Sequence, residues 1–266
     1  MKVITLIENL VYNEGLVAEH GLSLYIETAN RKILFDTGQT GSFIQNTERL
    51  GVNINDIDYL VLSHGHYDHI GGLFPFLEQN SKAVVYAKDG LFTPKYDRKD
   101  NFVGIERKEE PLKGRLIIVD KLTELDEGVF IMPHIPIIHP IDTQWNGFTK
   151  RINNELVPDE FDDELFIVLQ QKNKINIITA CSHRGITNIC SVATDYFKQP
   201  VNLILGGFHL KECTTEQYIH ITHYLRMLQP KSIGVCHCTG IDKYAELHEE
   251  CEAHLFYNYT GNSITI

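Results

Sequence analysis

The chain has no run of 18 apolar residues, so the sequence predicts no membrane-spanning helix. Its opening stretch, MKVITLIENL, stays apolar only as far as Glu8 and Asn9, which is too short for the core of an export signal. Positive charge is also scarce. Twenty-four Lys and Arg stand against 35 Asp and Glu, a formal net charge of −11. Most nucleic-acid affinity comes from neutralised phosphates, so this balance argues against DNA or RNA as a partner. The six cysteines (Cys181, Cys190, Cys213, Cys236, Cys238 and Cys251) lack the spaced pairs of a zinc ribbon. Cys236 and Cys238 stand too close for a usual disulfide, so reduced thiols in the cytoplasm are the expectation. No solenoid-length repeat and no low-complexity segment is present. Hydrophobic residues at 43% and charged ones at 22% are ordinary for a globular protein with a sizeable core. One domain spanning 1–266 is expected.

The apolar pattern is that of an α/β chain. Strands are predicted at Val3–Glu8, Leu22–Glu27, Lys32–Asp36, Ile57–Ser63, Ala83–Ala87, Leu116–Val119 and Val129–Met132. Further strands are predicted at Leu165–Gln170, Ile175–Thr179, Val201–Leu205 and Ile233–Cys236. Helices are predicted over Gly41–Leu50, from Asp68 to Glu78 with Pro75 as a disturbance, and over Ile186–Phe197, Thr215–Leu228 and Lys243–Glu252. Thr214 and Gln217 fit a capping box at the Thr215 helix start. Lys88–Lys113 and Pro140–Asp163 are polar and weakly periodic, and read as long loops able to shape a substrate pocket. Two similar halves of strands and alternating helices predict a four-layer αββα sandwich.

The 13 histidines are the unusual feature, and their placement carries the chemistry. Ser63-His64-Gly65-His66-Tyr67-Asp68-His69 follows a buried strand and precedes a helix, with four ligand-type side chains within six residues. His64 and His66 stand two apart and point the same way in extended backbone, whereas Asp68 and His69 turn into the helix start. A mixed imidazole and carboxylate set suits Zn, and also Fe, Mn, Co or Ni. Gly71-Gly72 lets the chain pack closely against the strand.

This motif, H-x-H-x-D-H, resembles the signature of the metallo-β-lactamase superfamily, and the resemblance covers essentially the whole chain. It implies a metal-dependent hydrolase of the corresponding fold. It further implies His183, in Cys181-Ser182-His183, and His237, in Cys236-His237-Cys238, as later ligands. Asp36 in Phe35-Asp36-Thr37-Gly38 would support the ligand histidines from outside. On this pattern His64, His66 and His183 hold one metal and Asp68, His69 and His237 hold another, with a hydroxide between them as nucleophile. One departure stands out. Most of the superfamily carry a bridging aspartate in a strand-end turn that here reads Leu205-Gly206-Gly207-Phe208-His209-Leu210, without a carboxylate. The bridge is either missing or replaced by His209, so one or two divalent transition metals per chain are expected, Zn first and Mn or Fe as alternatives.

A narrower resemblance joins the chain to hydrolases related to an archaeal dihydropterin ribofuranosylaminobenzene phosphate synthase. It rests on Glu19-His20-Gly21-Leu22-Ser23, Cys181-Ser182-His183-Arg184-Gly185-Ile186, Gly206-Gly207-Phe208-His209-Leu210 and His237-Cys238-Thr239-Gly240. It implies a phosphoester or pterin-like phosphorylated substrate, with Asp68, His209 and His20 as candidate catalytic groups. A lactone or thioester hydrolase, or a non-catalytic metal- or ligand-sensing module, is the alternative. The partner expected is a small molecule, with neither nucleic acid nor membrane, and a homo-oligomer is left open.

The remaining candidates have plainer readings. Cys181, Cys236 and Cys238 read as small buried residues, since strand alternation would turn Cys236 and Cys238 away from His237. His134 and His139 read as solvent-facing loop residues, His220 and His223 as an ordinary helix face, and His248 and His254 as surface. Asp159, Asp162, Asp163 and Glu164 read as a solvated acidic cluster.

Overall fold

The computed structural model describes residues 1–266, and the chain divides into two compact units. The first contains residues 1–120, 147–163 and 259–266; the second contains residues 121–146 and 164–258. No helix is long and apolar enough to cross a membrane.

The first unit is built on a seven-stranded mixed sheet. Its spatial order is Ser263–Thr265, Lys2–Ile7, Ser23–Glu27, Lys32–Phe35, Tyr59–Val61, Val84–Ala87 and Leu116–Ile118. The first four strands run antiparallel to their neighbours, and Lys32–Phe35 through Leu116–Ile118 pair in parallel. Helix Ser42–Arg49 packs on this sheet through Phe43, and Leu73–Gln79 does so through Leu73, Phe76 and Leu77. The helix expected from Asp68 to Glu78 is two helices, Tyr67–Ile70 and Leu73–Gln79, broken at Gly71-Gly72. Close packing explains the break: a Cβ on Gly71 would strike the Gln39 carbonyl, and one on Gly72 the Thr40 carbonyl. Pro75 falls in the first turn of the second helix, where a missing N–H costs nothing.

The two segments read as loops contain structure of their own. Lys95–Tyr96, Thr149–Ile152 and Glu155–Pro158 form a three-stranded sheet in the first unit. Its hairpin turns at Asn153-Asn154, both with positive φ, as the tight two-residue turn requires. These strands have two to four residues, and Ile152 and Leu156 are exposed. Too little of the pattern is buried for it to show in sequence.

The second unit carries the other seven-stranded sheet. Its order is His254–Tyr257, Ser232–Val235, Val201–Gly206, Lys174–Ile178, Phe166–Gln171, Val129–Met132 and Thr123–Asp126. The first four of these are parallel and the rest antiparallel. Helix Ile186–Phe197 buries Ile186, Ile189, Cys190 and Ala193, a stripe at i, i+3, i+4 and i+7. Thr215–Leu228 repeats that spacing with Tyr218, Ile221, Thr222 and Leu225, and its Thr214–Gln217 capping box is formed as expected. The final helix covers Ile241–Glu250, two residues earlier than expected. Each unit has its own apolar core, on Leu34, Phe43 and Phe76 in the first and on Phe166, Phe208 and Leu225 in the second. Such alternating α/β elements over mixed sheets place loops at the carboxyl ends of the parallel strands, where sites of α/β proteins collect.

Candidate metal centre

In the first unit, Asp36 lies just past the end of strand Lys32–Phe35, and His64 to His69 follow strand Tyr59–Val61. Asp36 is fully buried with φ +60°, a conformation a β-substituted residue adopts only when its surroundings hold it there. Its carboxylate is held by three donors. Ser63 N–H and Ser63 Oγ each donate at 2.7 Å, and His69 Nδ1 donates at 2.8 Å. Ser63 Oγ gives its one proton to Asp36, so it accepts from His64 Nδ1 at 2.9 Å. Both His64 and His69 are thereby fixed with the proton on Nδ1 and the lone pair on Nε2. Asp36 thus orients His69 directly and His64 through Ser63, a serine that the sequence pattern does not single out.

The imidazoles of His64 and His66 have ring centres 4.8 Å apart, and those of His64 and His69 4.4 Å apart. His66 is wedged against Phe148 and Phe161, at 5.4 and 5.1 Å between ring centres. Burial pushes its pKa down to about 3; Asp68 opposes that fall, while Lys95 and His69 add to it. His66 is therefore a neutral imidazole at ordinary pH, the form that binds metal. The Nε2 atoms of His64 and His66 are both buried. Asp68 is largely buried, and its Oδ2 lies 3.3 Å from His20 Nε2 and 3.8 Å from His69 Nε2. His20 itself is half-exposed and also meets Asn9 Nδ2 at 3.4 Å. The structure therefore brings His20 to Asp68.

Beside His64 to His69 lies a buried ionic group where the sequence pattern predicts solvated side chains. Asp159 and Asp163 are buried, and so is Lys95 between them. Lys95 Nζ donates to Asp159 Oδ2 at 2.6 Å and to Asp163 Oδ1 at 2.9 Å. The second oxygen of Asp163 accepts the Gly65 N–H at 2.7 Å, between His64 and His66. Burial alone would push the Lys95 ammonium down, but Asp163 and Asp159 outweigh it and hold its pKa above that of an ordinary lysine. A Cβ at Gly65 would strike the Leu91 carbonyl and crowd Lys95, so this position of the motif must be glycine. The acidic-cluster expectation is thus corrected for Asp159, Asp163 and Glu164; only Asp162 is exposed. The sequence hides the pairing, because Asp97 and Asp100 stand far nearer to Lys95 along the chain than Asp159 and Asp163 do.

In the second unit, three turns leave neighbouring parallel strands and carry Cys181 to His183, Gly207 to His209 and His237 to Thr239. They are sewn together: Gly207 N–H donates to Ala180 O at 2.7 Å, Ser182 Oγ to Gly207 O at 2.7 Å, and Phe208 N–H to Thr239 Oγ1 at 3.0 Å. Ser182, His209 and His237 all have positive φ, at +58°, +52° and +53°. Each of these turns thus holds one residue in a backbone conformation that costs a side-chain-bearing residue energy. His183 Nδ1 meets the Gln144 carbonyl at 3.1 Å, and a carbonyl can only accept. His183 is therefore also protonated on Nδ1, leaving Nε2 for a ligand. Buried Glu164 braces the turn by accepting the N–H groups of His183 and Arg184 at 2.8 and 2.7 Å. Asp142 accepts Thr187 N–H and Oγ–H at 2.6 and 2.8 Å. Burial raises the Asp142 pKa to about 7 against those bonds, and Glu164 adds to the rise. His209 is half-buried, with its ring centre 4.5 Å from that of His183.

The expectation for Cys238 is corrected. Residues His237–Thr239 form a 3₁₀ turn and not a strand, so alternation does not apply. The ligand atoms of Cys181, His237 and Cys238 all lie within 4.8 Å of one another. Cys236 is buried, as expected. His134, His223, His248 and His254 are exposed, and His139 packs on His220 and Tyr224 within the second unit. The donor set in each unit (imidazoles, with a carboxylate in the first and thiols in the second) fits a divalent transition metal.

Comparison with known proteins agrees with this chemistry. The model of the metallo-beta-lactamase superfamily matches residues 17–149. The chain is 32% identical, over 98% of both chains, to uncharacterized protein MJ0448 of Methanocaldococcus jannaschii. It is 28% identical to the same organism's 7,8-dihydropterin-6-methyl-4-(beta-D-ribofuranosyl)-aminobenzene-5'-phosphate synthase, over 90% of this chain and 88% of that one. Among solved structures it resembles Tm1679, described as a metal-dependent hydrolase of the beta-lactamase superfamily. The TM-score is 0.88 at 26% identity, covering 100% of this chain and 99% of that one.

Proposed function

The chain belongs to the metallo-beta-lactamase superfamily and is a metal-dependent hydrolase, and from that premise we propose that it hydrolyses a phosphoester of a small, pterin-like molecule. The metal ligands proposed are His64, His66, Asp68, His69, His183 and His237. Zinc is the first choice, with manganese or iron as alternatives, at one or two ions per chain. When bound, such a metal lowers the pKa of water and polarises a phosphoryl oxygen.

The observation that carries the reading is the chain of hydrogen bonds from Asp36 to His69 and, through Ser63, to His64. It sets tautomer and ring orientation before any metal arrives, as the outer partners of metal-binding histidines do. Asp68 is placed to accept a proton, and His20 at 3.3 Å is placed to pass it to solvent. His209, beside His183, supplies a donor to an anionic substrate group. The substrate class rests on the similarity to the dihydropterin phosphate synthase of M. jannaschii. The formal net charge of −11 supports a small molecule over nucleic acid as the substrate, and a cytoplasmic protein is part of the proposal.

The test is turnover of a chromogenic phosphodiester by metal-loaded protein, beside a lactone and a thioester. Phosphodiester hydrolysis that is lost on chelation supports the proposal. Lactone or thioester turnover alone replaces the substrate class. A His66→Ala chain with unchanged biological output points instead to a sensing module.

A further inference from the structure

The turn that lacks the usual carboxylate has no room for one at either of its glycines. A Cβ on Gly206 would run into the Thr179 carbonyl, and φ there is +144°. A Cβ on Gly207 would lie 2.5 Å from Cys238 Sγ and 2.6 Å from the Ala180 carbonyl. The space that a side chain at 207 would claim is taken by a thiol. That thiol belongs to a cluster within the second unit: Cys181 Sγ, a ring nitrogen of His237 and Cys238 Sγ, mutually within 4.8 Å. Ligands of a tetrahedral zinc at metal–sulfur and metal–nitrogen lengths of about 2.3 and 2.0–2.1 Å stand roughly 3.5–3.8 Å apart, so small side-chain adjustments close the set. Cys181 and His237 are buried, whereas Cys238 is only partly so. Cys238 Sγ reaches the Cys181 carbonyl at 3.5 Å, a weak bond that a metal can displace.

We propose that Cys181 and Cys238 are thiolate ligands that join His237 in holding a soft divalent metal, replacing the donor lost with the aspartate. On binding, each thiol gives its proton to solvent as its sulfur–metal bond forms, with no change of oxidation state. Sulfur donors favour zinc over manganese, so this chain's metal choice follows from the substitution. The inference rests on the reading of His237 as a metal ligand.

The experiment uses the full chain loaded with Co(II), with bound cobalt counted by elemental analysis and the near-ultraviolet thiolate-to-cobalt charge-transfer band read per bound ion. The wild type should show the band. Cys181→Ser and Cys238→Ser should each lower it by about half, one of two thiolates being gone. Cys213→Ser should leave it unchanged. Bound cobalt without the band overturns the thiolate proposal while leaving the metal centre standing. Absence of bound cobalt overturns the metal-centre reading itself. Should a serine variant fail to fold, X-ray absorption of the wild-type zinc protein decides, through a sulfur shell at about 2.3 Å or its absence.

Discussion

The two units solve the same problem differently. In the first, four ligand-type residues sit in one unbroken segment, His64 to His69, and the support comes from elsewhere in the chain: Asp36, Lys95, Asp159 and Asp163. In the second, each of three strand ends contributes one or two residues, and the turns brace one another through backbone groups and the hydroxyls of Ser182 and Thr239. A contiguous segment needs an external frame to hold its shape, and here the frame is ionic. A site assembled from separate strand ends takes its shape from sheet register, with positive φ at Ser182, His209 and His237, a cost the first unit shares at Asp36.

The comparison breaks most sharply at Lys95. Lys95→Met leaves Asp159 and Asp163 facing each other in a buried site. Urea unfolding should show a loss near the upper end of the roughly 3–5 kcal/mol typical of a broken buried pair. Adding Asp159→Asn to the same chain should recover part of it.

In the second unit the corresponding stress is a single carboxyl. The folded pKa of Asp142, about 7, lies above its ordinary value of 3.8. The folded state therefore binds that proton more tightly than the unfolded one does. Its stabilising contribution is full below about pH 4 and is lost as pH rises through about 7, in total roughly 4 kcal/mol. Asp142→Asn should flatten this part of the stability profile, and an unchanged profile would assign the slope elsewhere.

These differences also explain what could be read from sequence. The segment from His64 to His69 was legible because its chemistry is local, and the helices Ile186–Phe197 and Thr215–Leu228 because their apolar stripes are regular. The frame was not legible. Lys95 meets its partners 64 and 68 residues away, and a run such as Asp159 to Glu164 reads as solvated until a buried cation is found beside it. Cys238 is not legible from strand alternation because the strand ends at Val235 and His237–Thr239 is a 3₁₀ turn.

Smaller effects sharpen the picture. Asp36→Asn removes the acceptor shared by Ser63 and His69, and should weaken metal binding by about 10- to 100-fold, measured by competition with a chromogenic chelator. Thr214→Ala, which removes the capping box of helix Thr215–Leu228, should cost about 1 kcal/mol on thermal unfolding and leave metal content unchanged.

The central claim, that His64 to His69 is the heart of a metal centre, is tested most directly by elemental analysis. The protein is purified without added metal or chelator, beside His66→Ala. The account predicts one or two transition-metal ions per wild-type chain and a clear fall in the variant. No metal in the wild type even after reconstitution, or equal metal in the two proteins, would contradict it.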